Sequence, residues 1–383
     1  MKNLSFLFCI FLWNASFLFS QNMTPANLPS SIDSGDQGRF HVQSAAVDQK
    51  NGHVYFSFTD KLVKTDLEGN LIGSVTGIVG HLGDIHFDPE SGKIYASLEY
   101  KDDSIGKGIS EKLGKEVVSR NGFYVAVFEG AKITEPDMDA EKVDLLKTVY
   151  LKEVVEDYEA EVKMGDEKIR HRHACSGIDG MTIGPDIGKP NGKKKYLYVA
   201  YGVYGDTTRT DNDHQVILKY DIKNWDRYGG QLTQDNLHKS GPKKPKEKYF
   251  VFTGNTRYGI QNLAYDTHSG NFYAAVYPGA KSQFPNYNLF VIDGHQKPER
   301  GKIYSDGKMI RVKTLSLAEA GLHDPNSGSR GWFFKWGTTG LEPLGEGLFY
   351  ISHNRKSDQG LQATTLYKYR WTGSDDQPFE RVD

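Results

Sequence analysis

The chain has 383 residues, 47 Lys and Arg against 49 Asp and Glu, and a formal net charge of -2. That balance excludes a general electrostatic attraction to nucleic acid or to an anionic membrane surface. Aromatic residues make up 12% of the chain and glycines number 41, a composition that suits strands and turns better than helices.

In chain order, the first element is a leader. Lys2 is followed by the apolar run from Leu4 to Phe19, and Ser20-Gln21 offers a small residue at a cleavage point. Residues 1–21 therefore read as a secretory signal peptide, which implies a secreted or periplasmic mature protein. No later stretch approaches the roughly 20 apolar residues of a transmembrane helix. Of the two cysteines, Cys9 lies in the leader, so Cys175 alone remains and no intrachain disulfide is available.

The rest, residues 22–383, carries a repeat. Asp48 is followed by Asn51-Gly52 and Tyr55, Asp88 by Ser91-Gly92 and Tyr95, and Asp266 by Ser269-Gly270 and Tyr273. Each is a tight turn in which Gly takes positive φ, the Asp and Asn or Ser side chains bond nearby backbone, and Tyr opens the returning strand. Aligned on this turn, the chain divides into five segments. Their first strands are Gln43 to Val47, Gly83 to Phe87, Asp179 to Ile183, Gln261 to Tyr265 and Thr339 to Pro343. The returning strands run over Val54 to Phe58, Ile94 to Glu99, Leu197 to Tyr201, Phe272 to Tyr277 and Leu348 to His353. Third strands follow at Lys61 to Asp66, Phe123 to Glu129, Gln215 to Asp221, Asn288 to Asp293 and Thr365 to Trp371. Fourth strands are expected at Leu71 to Val75, Thr148 to Val155, Lys248 to Thr253, Met309 to Leu315 and Pro378 to Val382. The pattern predicts a single all-β domain, a five-bladed β-propeller of four-stranded antiparallel blades with loop insertions. Ser104 to Val118 reads as an inserted short helix.

This topology brings distant residues to one end of the central channel. His41 and His81 share one offset before the first strands of their blades, His173 leads into the third, and Arg257 and Tyr258 lead into the fourth. The loops after the second strands supply Glu99, Tyr100 and Lys101, then Tyr201, Tyr204, Arg209 and Asp211, then Tyr277 and Lys281, then His353 and Arg355. Arg and Lys would hold a carboxylate or sulfate and tyrosines would stack on sugar faces, so the expected partner is an anionic polysaccharide or oligosaccharide. The bland reading of each residue, a packing tyrosine or a solvent-facing lysine, is countered only by their coincidence in all five segments.

Two metal readings arise. In an extended segment His171, His173 and Cys175 fall on one side and could ligate zinc. Asp206 to Asp213, or the channel residues Asp84 and Asp179, could take calcium, although the loop lacks EF-hand order. No metal is required by the sequence. Glycoside hydrolysis needs a facing carboxyl pair, for which Asp84, Asp179, Glu99 and Glu342 are available.

With these residues and this blade pattern, the chain resembles the secreted bacterial propeller enzymes of polysaccharide breakdown, the propeller polysaccharide lyases such as ulvan lyases and the propeller rhamnosidases. The resemblance lies in architecture and rim chemistry, without a shared linear motif, and those families are mostly seven-bladed. It implies a carbohydrate-active enzyme, and the leading expectation is β-elimination on a uronate-containing glycan. In that scheme His81 or His173 is the base, Arg209 or Arg257 neutralises the carboxylate, and Tyr201 or Tyr258 is the acid. His41, Tyr100, Tyr204, Tyr277, Lys281, His353 and Arg355 would bind substrate. The alternatives are a propeller glycoside hydrolase and a propeller that binds glycan or protein without chemistry.

Overall fold

The three repeated turns form as their residues dictate. Gly52, Gly92 and Gly270 have φ of 67°, 68° and 73°. Asp48 accepts from the Asn51 amide at 3.1 Å, Asp88 from the Ser91 hydroxyl at 2.6 Å and Asp266 from the Ser269 amide at 2.9 Å. Tyr55, Tyr95 and Tyr273 then turn into the core. A Cβ at Gly92 would meet nothing within 4 Å, whereas one at Gly270 would stand 2.8 Å from Nε2 of His295. That ring bonds the Ser269 carbonyl at 2.8 Å. Gly92→Ala is therefore expected to cost about 1–2 kcal/mol of backbone strain alone. Gly270→Ala should cost more in urea unfolding, and an equal loss in the two variants would refute the added steric term.

The computed structural model describes residues 24–114 and 121–383. The leader expectation falls on residues 1–21, outside the described residues; no helix among those described is long and apolar enough to cross a membrane. Five small, mainly antiparallel sheets form a ring, a five-bladed β-propeller. The innermost strands are Val42–Asp48, His81–Asp88, Cys175–Pro185, Thr256–Tyr265 and Leu341–Gly345. Each touches the next, and the fifth touches the first. Aromatic residues fill the layers between sheets: Tyr55 stacks on Phe87 across blades 1 and 2 with centroids 5.7 Å apart, and Tyr273 of blade 4 meets Phe349 of blade 5 at 5.0 Å. Full burial of such a side chain stabilises by about 1.5–3 kcal/mol.

The outer strands depart from a uniform count of four. Thr148 to Val155 is not one strand: Leu146–Tyr150 pairs in blade 2 and Lys152–Tyr158 is a helix. Lys308–Leu315 does not complete blade 4. It pairs in parallel with Glu247–Phe252 of blade 3, Tyr249 opposite Lys313, and leaves blade 4 with three strands. Bridges from Leu289 to Trp332 and from Ile292 to Leu317 cover that edge instead. In blade 5 the third strand, Gln362–Trp371, carries two short strands on its outer side, Ser31–Asp33 from the N-terminal region and Phe379–Arg381 from the C-terminal region. The ring is thus closed by pairing the two ends of the described chain onto one strand, which removes an open edge. Arg355, expected at the rim, serves this clasp through ion pairing with Asp33 at 2.8 Å.

A carboxylate sits where the blades meet. Asp84 accepts from the Ser44 hydroxyl of blade 1 at 2.6 Å, its neighbour's amide (Ile85) at 2.9 Å, the Met181 amide of blade 3 at 2.8 Å and the Leu263 amide of blade 4 at 2.9 Å. Glu342 of blade 5 accepts from the Val47 amide of blade 1 at 3.0 Å. Burial pushes the Glu342 carboxyl up to about 8 against that hydrogen bond. The folded chain therefore holds this proton more tightly than the unfolded chain, whose carboxyl titrates near the ordinary 4.5. The resulting stability is complete below that ordinary value and is lost as pH rises through about 8. Unfolding free energy should fall between about pH 4.5 and about pH 8 in the natural protein and fall less in Glu342→Gln. Identical slopes would remove Glu342 as the source.

Candidate functional site

The innermost strands are irregular where they carry polar residues. Their pairing shifts register between Val42 and Ser44, Leu82 and Ile85, Ile178 and Met181, and Ile260 and Asn262. Gln43, Asp84, Asp179 and Gln261 lie within these shifts. A bulge re-aims a side chain that strict alternation would send elsewhere. Here the bulges collect polar groups along the channel.

At one end these groups form a pocket of about 230 Å³, lined by His41, Gln43, His81, Glu99, Lys101, Ile105, Ser176, Asp179, Tyr258, Gln261 and Tyr277. Ile105 comes from the inserted helix Ser104–Leu113, whose N-terminus Asp103 caps by accepting the Ile105 and Gly106 amides at 3.0 Å each. Tyr258 is 39% exposed and has a φ of 66°, a left-handed conformation that a bulky residue adopts only under constraint. It meets Tyr277 edge to face with centroids 5.9 Å apart.

Beneath the tyrosines lies a charged cluster. Nδ1 of His81 stands 3.6 Å from Oε1 of Glu99 and 3.7 Å from Oδ1 of Asp179, and this buried nitrogen has no hydrogen-bond partner. Glu99 takes Lys101 Nζ on Oε1 at 2.5 Å and the Ile178 amide on Oε2 at 3.0 Å. Gly177 permits this fit, because a Cβ there would stand 2.0 Å from Oε2. Lys101 also donates to the Ser176 carbonyl at 2.9 Å. Gln261 donates to Oδ2 of Asp179 at 3.0 Å. Burial, then the Glu99 charge, drives the Asp179 carboxyl well above the usual range. Burial raises Glu99 as well, with Lys101 opposing, and drops the His81 imidazole to about 3. Burial alone would lower Lys101, but Glu99, Asp103 and Asp179 hold it above the usual lysine range.

Among the residues expected at the rim, His41, His81, Glu99, Lys101, Tyr258 and Tyr277 share this pocket. Arg257 is exposed beside it, its guanidinium 5.7 Å from the Tyr258 ring centre. The others lie elsewhere. His173 is buried against Phe250 with ring centroids 4.9 Å apart, and Tyr201 is fully buried with its hydroxyl on Asp157 at 2.8 Å. Arg209 makes a two-pronged pair with Asp211, both bonds at 2.8 Å, and Lys281 is buried on Asp213 at 2.5 Å. Tyr100 bonds Gln234 at 2.9 Å and Tyr204 bonds Asp103 at 3.0 Å. His353 stacks on Trp336 at 3.8 Å. Gln43, Ser176 and Gln261 enter the pocket without having been expected there; the bulges that place them leave no mark in alternation patterns.

The zinc and loop-calcium readings lose their geometry. Arg172–Ala174 is a tight turn flanked and crossed by positive φ at His171, His173 and Ala174, so period-two alternation does not apply. His171 Nδ1 bonds the Tyr158 carbonyl at 2.6 Å. In the acidic loop, Asp206 caps its own turn on Thr208, while Asp211 and Asp213 are held by Arg209 and Lys281. Among the described residues, the trio of His, Cys, Asp or Glu side chains arranged to share one ion is His81, Glu99 and Asp179, whose ligand atoms lie within 4.8 Å of one another.

The opposite end of the channel holds a larger cavity of about 560 Å³, lined by residues of all five blades, among them His86, Phe87, Ile183, Tyr265 and Leu344. Its lining mixes apolar residues with Lys50, Asp88 and Lys195 and, among the described residues, holds no trio of side chains arranged to share an ion.

No protein-family model and no curated protein matches the sequence. Among solved structures, the chain is similar to a GH43 β-1,3-galactosidase with galactodeoxynojirimycin at 12% identity, covering 91% of this chain and 97% of that one, with a TM-score of 0.41. It is similar to the PQQ domain of pyranose dehydrogenase from Coprinopsis cinerea at 11% identity, 84% and 81% coverage and a TM-score of 0.35. It is also similar to the β-propeller domain of Cps50 (Swd1) from Myceliophteria thermophila at 10% identity, 86% and 84% coverage and a TM-score of 0.30.

Proposed function

We propose that this protein is a carbohydrate-active enzyme that holds a glycan at the channel mouth and cleaves it over the His81, Glu99 and Asp179 cluster. The observation that carries this reading is the meeting, in one pocket, of a constrained exposed tyrosine with that buried cluster. Tyr258 and Tyr277 offer faces to the C–H side of a sugar ring, and His41, Gln43 and Gln261 offer polar groups to its hydroxyls. Asp179, with its side chain 14% exposed, is the carboxylate that reaches the pocket.

Hydrolysis has better support than β-elimination. Elimination was assigned to a base, a neutralising arginine and an acid: His173, Tyr201 and Arg209 are committed to contacts inside the fold. Of the alternates His81, Tyr258 and Arg257, which lie in or beside the pocket, the base is weak because burial drops the His81 imidazole to about 3. Glycosidic hydrolysis uses two carboxyl groups, and Asp179 and Glu99 are the two that line this pocket, Asp179 the more exposed.

A panel of neutral and uronate-containing polysaccharides and oligosaccharides tests the proposal by assay of new reducing ends. Release without an unsaturated, ultraviolet-absorbing product is expected. An unsaturated product would restore elimination and overturn hydrolysis. Binding of a glycan without cleavage of any bond would make the protein a binding scaffold and overturn the enzyme reading.

A further inference from the structure

We infer that the His81, Glu99 and Asp179 cluster is a binding site for one divalent cation of the zinc or manganese type. The site is the one proposed above for glycan cleavage, and the inference deepens that reading by naming what the cluster binds. Three different inner or second strands deliver the donors: His81 from the first strand of blade 2, Glu99 from its second and Asp179 from the first strand of blade 3.

The spacing fits a shared ion. Donor atoms bound tetrahedrally to one zinc at about 2.0–2.2 Å stand roughly 3.3–3.6 Å from one another. His81 Nδ1 is 3.6 Å from the Glu99 oxygen and 3.7 Å from the Asp179 oxygen. These separations are too long for a hydrogen bond and close to those around a common ion. The imidazole nitrogen is buried and unpartnered, aimed between the two carboxylates. A buried donor or acceptor without a partner is costly, and a bound ion would remove that cost.

Charge points the same way. Glu99, Asp103 and Asp179 gather three carboxyl groups about a single ammonium, that of Lys101, so a cation entering the cluster meets more acidic groups than basic ones. Lys101 does not fill the position itself. Its Nζ lies on Glu99, the Ser176 carbonyl and, at 3.7 Å, Asp103, without an ion pair to Asp179. One imidazole and two carboxylates favour zinc or manganese over calcium or magnesium, which prefer all-oxygen sites. With a cation bound, the two carboxylates act as ligands, and the ion supplies a means of polarising a water or sugar oxygen at the pocket floor.

Isothermal titration of chelator-stripped protein with zinc, manganese and calcium chloride, without any glycan, tests the site. One equivalent of zinc or manganese is expected to bind, with calcium at least about tenfold weaker. Asp179→Asn, which keeps the size of the side chain, and His81→Ala should each weaken binding by at least about 100-fold while circular dichroism stays unchanged. Glu90→Gln, on an exposed turn, should bind as the natural protein does. Absence of binding up to about 1 mM, or affinity retained in both cluster variants, overturns the inference. Absence of binding in the titration together with glycan cleavage that persists in chelator would overturn it and leave the proposed function standing. Stoichiometric metal binding in a protein that cleaves no glycan would do the reverse.

Discussion

Asp84→Ala is expected to lower the unfolding free energy by at least about 3 kcal/mol, the largest loss from any single channel substitution. The carboxylate is the common acceptor for the Ser44 hydroxyl and the Ile85, Met181 and Leu263 amides, groups drawn from four different blades. Alanine would orphan the three amides in the channel, while the Ser44 hydroxyl could still donate to Asn262 Oδ1 at 3.0 Å, and each buried group left without a partner costs about 1–3 kcal/mol. Entry of water would recover part of this. Burial pushes the Asp84 carboxyl to about 7, against the pull of its donors. Asp84→Asn should lose less than alanine, because its carbonyl oxygen still accepts while its amide group faces further donors. Urea unfolding followed by tryptophan fluorescence gives the comparison. A loss below about 1 kcal/mol in the alanine variant would show that the blades do not depend on this junction.

Asp179→Asn should reduce turnover on the substrate found in the glycan panel by at least about 100-fold with little change in unfolding midpoint, a loss in the range of removing a positioned acid–base group. Asp179 reaches the pocket while its Oδ2 rests on Gln261, so the amide variant preserves shape and can keep a hydrogen bond there. The loss follows whether the carboxylate moves a proton or binds a cation. Substitution of a pocket tyrosine should behave differently: Tyr258→Ala removes a stacking face worth about 0.5–1.5 kcal/mol and should act mainly on KM. Unchanged kcat in Asp179→Asn would detach the cluster from the chemistry and leave the pocket as a binding surface.

Much of the fold was legible because its information is local. A turn whose Asp, Gly and Tyr each have a short-range task recurs at fixed spacing, and that spacing gives the register of the blades. Where the outer strands had no such turn to index them, the reading slipped. Met309 to Leu315 has the alternation of an edge strand and nothing local to say which blade it joins; pairing with Tyr249 to Val251 decides it. Ser31–Asp33 is too short to announce itself, and only its partner Thr365 to Tyr367 makes it a strand.

The site was half visible for a related reason. The register brought His41, His81, Tyr258 and Tyr277 to one mouth, and the carboxylates Glu99 and Asp179 were among the acids considered. Arg209, Lys281, Tyr201 and His173 have the same residue chemistry as the residues that line the pocket. Their exclusion rests on Asp211, Asp213, Asp157 and Phe250, which bind or bury them.

By itself, then, the sequence determined the all-β class, the five blades and the end of the channel where polar residues gather, since turn chemistry and strand period are written within a few residues. The tertiary structure alone decided which strands close the ring, which side chains the bulges aim into the channel and which polar groups are buried together. Those outcomes depend on hydrogen bonds and desolvation between residues as far apart as Asp84 and Leu263, and no local pattern encodes them.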